Sequence, residues 1–205
     1  MKYFTLLFIV IALNQISHSQ WQTQNSGTTE NLYDATILNQ TSAVVVGDNG
    51  TILKTTDKGN TWNFKNSGTT NRLNAVSFSM MGEGVAVGNG VICLSTDAGE
   101  TWSDSSIDKN AISVSSFYSE FWGWNILIGC DDGTLLYYGE TYNTWIDTAL
   151  SNEPVIAAGM TDVGLHVSPV IVATKSFTCN TYLPIYPTST WKLYNNQLNP
   201  GDSLT

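Results

Sequence analysis

The chain has 205 residues, 42% of them hydrophobic, and its 17 acidic and 8 basic side chains give a formal net charge of -9. Arg72 is the only arginine. Nucleic acids and anionic membrane surfaces are bound by clustered Lys and Arg side chains, so this composition excludes both as partners. The length is sufficient for one domain with its own hydrophobic core.

The first residues have the pattern of an export signal. Lys2 is followed by an apolar run over residues 4–13, and Ser17-His18-Ser19 has the small-x-small form that a signal peptidase recognises. The run is shorter than the roughly 20 residues that a membrane-spanning helix needs. We therefore predict a signal peptide over residues 1–19, a mature domain over 20–205 and no membrane span after cleavage. The expected location is secreted, periplasmic or at the cell surface.

Beyond this segment, a tryptophan returns every forty-odd residues. The repeating positions are Trp21, Trp62, Trp102, Trp145 and Trp191. The phrase Asn-Ser-Gly-Thr-Thr also occurs twice, at residues 25–29 and 66–70. A period of this size is typical of repeat proteins in which each unit is one small sheet. The dipeptides Asn49-Gly50 and Asn89-Gly90 separate short apolar runs and predict hairpin turns.

Four short strands per unit, with a tryptophan and a glycine-rich turn, predict an all-β fold built of β-propeller blades. We expect four four-stranded antiparallel blades, over about residues 31–67, 72–107, 111–150 and 153–195. Residues 21–26 match the fourth strand of a blade and would form an orphan outer strand. The chain stops where Leu204 would begin a fifth blade. The sequence therefore predicts an incomplete ring, truncated at its C-terminus.

An octad of the form Ser/Thr-x-Asp-x-Gly-x-Thr-Trp occurs at the same phase in two units, at residues 55–62 and 95–102. Its Asp can accept hydrogen bonds from backbone N–H groups in a tight turn, its Gly supplies positive φ, and its Trp can pack between blades. The residues predicted to have these structural roles are Asp57, Gly59, Trp62, Asp97, Gly99 and Trp102. The third copy has Glu140 and Tyr142 in place of Asp and Gly.

The octad resembles the Asp-box, or BNR repeat, found between the third and fourth strands of certain propeller blades. The phrases at residues 84–88 and 123–129 resemble the Gly-Trp-Ala-Val-Gly phrase of the photosystem II assembly/stability factor-like, BNR-type propellers. This resemblance covers residues 21–150 well and 151–205 loosely. It implies the fold and leaves the activity open, because Asp-boxes occur in enzymes, receptors and assembly factors.

Few residues are suited to catalysis. Sialidases, the best-known Asp-box enzymes, hold a substrate carboxylate with three arginines, which Arg72 alone cannot do. Other Asp-box propellers cleave β-glucans with two carboxylates that flank the bond. The candidate acids are Glu30, Asp34, Glu83, Asp108, Glu120, Asp131, Asp132 and Glu153. No pattern pairs any two of them. We predict that His166, the only histidine of the mature chain, packs within a strand.

The three cysteines, Cys93, Cys130 and Cys179, have no metal-type spacing. Cys93 occupies the place of Leu53 in the preceding unit, so we predict a small buried apolar side chain there. One disulfide with one free thiol stays open as an alternative in an exported chain. We predict no metal and no cofactor.

These observations favour a secreted, non-enzymatic binding or assembly module, with a protein or a glycan as its ligand. The alternative is the N-terminal part of an Asp-box glycoside hydrolase. Binding residues in repeat folds lie on loops that vary between units. The loops opposite the octads vary, and they place Glu30, Arg72, Asp108 and Lys109 on the predicted binding face. Trp122 and Tyr142 are the aromatic residues expected to be exposed.

Overall fold

The computed structural model describes residues 23–120, 123–140, 143–150, 152–160, 170–174, 179–185 and 190–194. The first sheet contains β1 (Leu32–Ile37), β2 (Ala43–Gly47), β3 (Ile52–Thr55) and β4 (Asn63–Lys65). The second contains β5 (Leu73–Phe78), β6 (Gly84–Ser95), β7 (Ser103–Ser119), β8 (Gly123–Cys130), β9 (Thr134–Gly139) and β10 (Thr144–Ala149). The third contains β11 (Val155–Met160), β12 (Val170–Thr174), β13 (Cys179–Ile185) and β14 (Thr190–Tyr194).

The predicted all-β class is confirmed. In the described part of the chain, the one helical element is a 3₁₀ turn over Asp48–Gly50. Neighbouring strands pair antiparallel in sequence order in all three sheets. The second sheet has six strands because β7 pairs with β6 through its first half and with β8 through its second half. We number the units as blades one to four. β7 belongs to blades two and three, and in blade two β6 takes the place of two strands, since it pairs with β5 through residues 84–88 and with β7 through residues 89–94.

The two predicted hairpin turns differ in form. Between β2 and β3, Asn49 and Gly50 both have positive φ, 54° and 65°, as a type I′ turn requires. In blade two, β6 continues through Asn89 and Gly90, and only Gly90 has positive φ, 71°. The second connection is one residue shorter than the first, so the same turn does not fit.

The hydrophobic core lies between the blades. Among the described residues, each of three buried clusters takes its residues from two consecutive blades. At the first boundary, Val44 and Ile52 of blade one pack with Val76 and Cys93 of blade two. The Trp102 ring packs against this cluster, edge-on to Phe78 at 5.7 Å between centroids. Burial of one such aliphatic side chain stabilises the fold by about 1.5–3 kcal/mol.

A β-bulge interrupts the start of the first strand in every blade. The register shifts lie at residues 32–34, 73–75, 111–113 and 155–157. A Cβ atom on Gly88 would overlap the carbonyl oxygen of Arg72, so only glycine permits the backbone approach at this bulge. The bulge thereby holds the Arg72 backbone against Gly88, directly before β5.

Some predictions lie outside the described residues. They concern the signal peptide, Trp21, Trp122, Tyr142 and His166. Residues 23–26 contain no strand, so pairing of the orphan strand is not observed within the described part of the segment. Among the residues described, none belongs to a helix that is long and apolar enough to cross a bilayer.

Candidate ligand-binding face

The first strands of the four blades surround a central cavity. β1, β5, the second half of β7 and β11 contact one another in turn. They line a cavity of about 390 Å³, whose wall includes Tyr33, Asn74, Ser113 and Ile156. The connections that directly precede these strands, together with the Asp48–Gly50 turn, form the rim of the cavity at one end. We refer to this end as the rim face.

Arg72 is oriented by two neighbours on the rim face, Tyr33 and Asp48. Its guanidinium carbon lies 3.7 Å from the centroid of the Tyr33 ring, and its Nε lies 4.0 Å from Asp48 Oδ1. Asp48 Oδ2 accepts hydrogen bonds from Asn31 Nδ2 at 2.9 Å and from the Tyr33 hydroxyl at 2.8 Å. These two bonds lower the pKa of Asp48, and donation to this carboxylate raises the pKa of Tyr33. Arg72 keeps 44% of its side chain exposed and is therefore available to a ligand.

Glu30 lies beside the same turn. Its Oε2 accepts a hydrogen bond of 3.0 Å from Asn49 Nδ2. The structure therefore brings both Glu30 and Arg72 to the Asp48–Gly50 turn. Tyr33 and Asp48 complete this cluster and were not predicted from the sequence. Tyr33 is the unpaired residue of the bulge at residues 32–34, and no sequence pattern marks that position.

Lys109 lies farther along the rim. Its Nζ is 2.9 Å from Asp132 Oδ2 and 3.9 Å from Asp147 Oδ2, and the hydrogen bond to Asp132 raises the pKa of Lys109. Asp132 has a pKa lowered to about 2, first by its hydrogen bond from Thr134. Asn74 joins this region to the central cavity, since its Nδ2 donates to the Ala111 carbonyl at 2.7 Å.

Asp108 occupies a different place from the other three predicted residues. It lines a separate groove of about 570 Å³ between blades two and three, together with Trp145 and Asp147. The structure thus divides the four predicted residues between the Arg72 cluster, the Lys109 ion pairs and this groove. Sequence spacing could not distinguish Asp108 from Lys109, because consecutive strand residues point to opposite faces.

The two octad turns lie at the other end of the strands. Asp57 accepts hydrogen bonds from Thr61 N at 2.9 Å, Thr61 Oγ1 at 2.6 Å and Thr55 Oγ1 at 2.8 Å. Asp97 makes the same three contacts with Thr101 and Ser95, and the Thr101 hydroxyl is the main cause that lowers its pKa to about 2.

Each octad turn contains two consecutive residues in the left-handed region. Gly59 and Gly99 have φ values of 85° and 81°, and the preceding Lys58 and Ala98 have 64° and 58°. The sequence indicated only the glycines, because left-handed conformations are uncommon for other residues. Backbone bonds of 2.9 Å from Lys58 N to Thr41 O and 3.0 Å from Ala98 N to Gly82 O hold these residues in place.

Two cysteines are buried, and two of the candidate acids accept hydrogen bonds. Cys93 and Cys130 are free thiols, and burial raises the pKa of each to about 12, so they remain protonated. This agrees with the buried apolar role predicted for Cys93. Asp34 accepts a hydrogen bond from Val76 N at 2.8 Å, and Glu83 accepts one from Ser79. Among the described residues, no three His, Cys, Asp or Glu side chains are grouped as a metal site would need.

Residues 13–112 match a family described as "Photosynthesis system II assembly factor YCF48". A solved structure of "YCF48 bound to D1 peptide" is 17% identical, with a TM-score of 0.61 over 88% of this chain and 60% of that one. YCF48 from Cyanidioschyzon merolae is 18% identical, with a TM-score of 0.58 over 85% of this chain and 59% of that one.

The WD40 β-propeller domain of Doa1 is 15% identical, with a TM-score of 0.56 over 83% of this chain and 56% of that one. These similarities show that the fold is that of a β-propeller. The chain spans about 60% of the length of the YCF48 structures. No curated protein matches the sequence significantly.

Proposed function

Since the chain belongs to the photosystem II assembly factor-like family of BNR-type propellers, we propose that it is a non-enzymatic module that binds a protein segment. The partner would be held on the rim face, over the central cavity. YCF48 has been solved bound to a D1 peptide, which supports a peptide segment as the class of ligand.

The arrangement of Arg72 over Tyr33 carries this proposal. Stacking at 3.7 Å and the hydrogen bond from Tyr33 to Asp48 hold both planar groups in place before any ligand arrives. Ligand binding therefore costs less side-chain entropy than it would with a mobile arginine. Arg and Tyr are among the residue types that contribute most energy in protein interfaces, and the Arg fork suits a carboxylate or a main-chain carbonyl.

The glycoside hydrolase alternative is less well supported. A general acid in such an enzyme needs a raised pKa. Five described carboxyl groups instead have lowered pKa values, because each accepts hydrogen bonds in its ionised form. They are Asp48, Asp57, Asp97, Glu100 and Asp132. We further propose that the two octads act as structural Asp-boxes and that their carboxylates have no part in catalysis.

We also propose that the chain is exported and cleaved after Ser19. The support is the charged residue, apolar run and small-x-small site at the N-terminus. N-terminal sequencing of the exported protein should give Gln20 as the first residue. A protein that retains residues 1–19 would contradict the proposal.

Peptide display tests the binding function. A library of random 12-residue peptides selected on the protein should yield binders whose affinity falls about tenfold or more in Arg72→Ala and Tyr33→Ala. Lys58→Ala, which lies in an octad turn, is the matched control and should leave affinity unchanged. Affinity that survives both rim changes and falls with Lys58→Ala would place the site on the opposite face. Hydrolysis of β-glucan would instead support the enzyme alternative.

A further inference from the structure

The groove between blades two and three is apolar inside and acidic at its edge. Ile92 and Leu94 of β6 and Leu136 of β9 form its floor. Trp145 of β10 is 40% exposed, although it occupies the octad position at which Trp102 packs against the first boundary. The carboxylates of Asp108 and Asp147 line the edge.

The preceding boundary shows what fills the equivalent space. Lys54 of β3 extends from blade one, and only 6% of its side chain is exposed. Its Nζ donates to the Ala98 carbonyl at 2.8 Å and to Glu100 Oε1 at 2.6 Å, both in the octad turn of blade two. Lys65 of β4 forms a second ion pair with Glu100. Two lysines of the chain therefore close this boundary.

The second boundary lacks all three charged partners. Counting from the octads, Leu94 and Ser105 replace the two lysines, and Asn143 replaces Glu100. The strand registers agree with this alignment, since Ile52 pairs with Lys65 and Ile92 pairs with Ser105. A boundary that elsewhere holds lysine stems is left as an open groove.

Charge favours a cation in this groove. Asp147 keeps 58% of its side chain exposed, and its nearest described cation, Lys109, lies 3.9 Å away and closer to Asp132, at 2.9 Å. The chain as a whole has a formal charge of -9. An indole ring attracts Lys and Arg head groups, while apolar walls suit their methylene stems.

We propose that this groove binds a lysine or arginine side chain of a protein partner. The stem lies along Ile92 and Leu94, and the charged group lies over Trp145 toward Asp108 and Asp147. The partner thus supplies the cation that Lys54 supplies at the first boundary. The inference rests on the proposed function only in taking the partner to be a protein, and it adds a second contact away from the Arg72 cluster.

A lysine peptide provides a direct probe. Acetyl-Lys-Gly-Lys-amide titrated into ¹⁵N-labelled protein should shift the Trp145 indole signal saturably, and Trp145→Phe assigns that signal. The double change Asp108→Asn with Asp147→Asn should weaken binding about tenfold. Asp104→Asn is the matched control, since Asp104 lies on the same strand with its carboxylate beside Gly68. It should change the dissociation constant less than about twofold.

Ser105→Lys tests whether a lysine of the chain itself can occupy the groove and exclude the peptide. It places an ammonium group where Lys65 stands at the first boundary, so it should fill the groove and suppress the peptide-induced shift. Ser105→Gln, similar in reach and neutral, should suppress it less. Undiminished binding to Ser105→Lys would overturn the proposal. So would equal losses in Asp104→Asn and in the double variant, or equal binding of acetyl-Glu-Gly-Glu-amide.

Arg72→Ala separates this inference from the proposed function. It should weaken the displayed peptides and leave the lysine-induced shift of Trp145 intact. If the displayed peptides bind through Arg72 and the lysine peptide never shifts Trp145, the groove proposal fails alone. If the lysine peptide binds the groove and no displayed peptide depends on Arg72 or Tyr33, the rim proposal fails alone.

Discussion

Asp97 and Thr101 illustrate how single residues stabilise this fold. The Asp97 carboxylate accepts two hydrogen bonds from Thr101, through the backbone N–H at 2.9 Å and the hydroxyl at 2.6 Å. It thereby closes a turn whose backbone includes the left-handed Ala98 and Gly99. The ionised form is the better acceptor, so the turn and the charge state of Asp97 are linked.

This linkage predicts a pH-dependent contribution to stability. The Asp97 pKa falls from 3.8 to about 2 in the folded chain, so its contribution is complete above about pH 4 and is lost as pH falls toward 2. Asp97→Asn should lower the free energy of unfolding at pH 7, because it weakens both hydrogen bonds. The loss should be only about 1 kcal/mol, since solvent screens these exposed bonds. Urea unfolding should show the gap from wild type closing between pH 4 and 2. Asp104→Asn controls for the lost charge, and a gap independent of pH would contradict the assignment.

At the scale of the elements, the boundary between blades one and two depends on a lysine side chain that extends from one sheet to the next. The Lys54 side chain is buried at this boundary, with its ammonium group at the octad turn of blade two. Its stem adds to the packing, while its charge requires Glu100. The hydrogen bonds from Lys54 and Lys65 lower the pKa of Glu100, so its carboxylate is ionised at neutral pH.

Removal of the two partners should therefore have unequal effects. Glu100→Ala leaves the buried Lys54 ammonium without its carboxylate and should cost about 1–3 kcal/mol. Lys54→Met keeps the stem volume, and Glu100, half exposed, retains Lys65, so the loss should stay within about 1 kcal/mol. Urea unfolding at low salt measures both variants. A larger loss in Lys54→Met would show that the ion pair itself stabilises the boundary.

For the whole molecule, the position of the hydrophobic core between the blades determines how the chain folds. All three buried clusters join consecutive blades, so one blade alone exposes two apolar faces. Repeat proteins of this kind gain their stability from contacts between neighbouring units. Cooperative folding is therefore a property of several blades together.

Fragments provide a test of this property. Residues 23–70, which contain blade one, should show no cooperative thermal transition by circular dichroism. Residues 23–150, which contain the first two boundaries, should show one. The physical reason is that Val44, Val46 and Ile52 are buried only when blade two covers them. A cooperative transition in residues 23–70 would mean that a blade has a core of its own.

The repeat in the sequence was sufficient to predict the all-β class, the strand pattern and the type I′ turn at Asn49-Gly50. These features depend on local spacing and on conformations that only certain residues adopt. The resemblance to BNR-type propellers came from the same repeated phrases and agrees with the family match.

Only the tertiary structure decided which side chains meet across blades. Tyr33 comes from β1, Asp48 and Arg72 come from two separate connections, and Lys54 reaches Glu100 from another sheet. The open groove beside Trp145 likewise depends on the absence of lysines at the positions equivalent to Lys54 and Lys65, which matters only when two blades face each other. A repeat specifies each unit from short-range spacing, whereas contacts between units depend on how neighbouring sheets pack, and spacing along one chain does not contain that geometry.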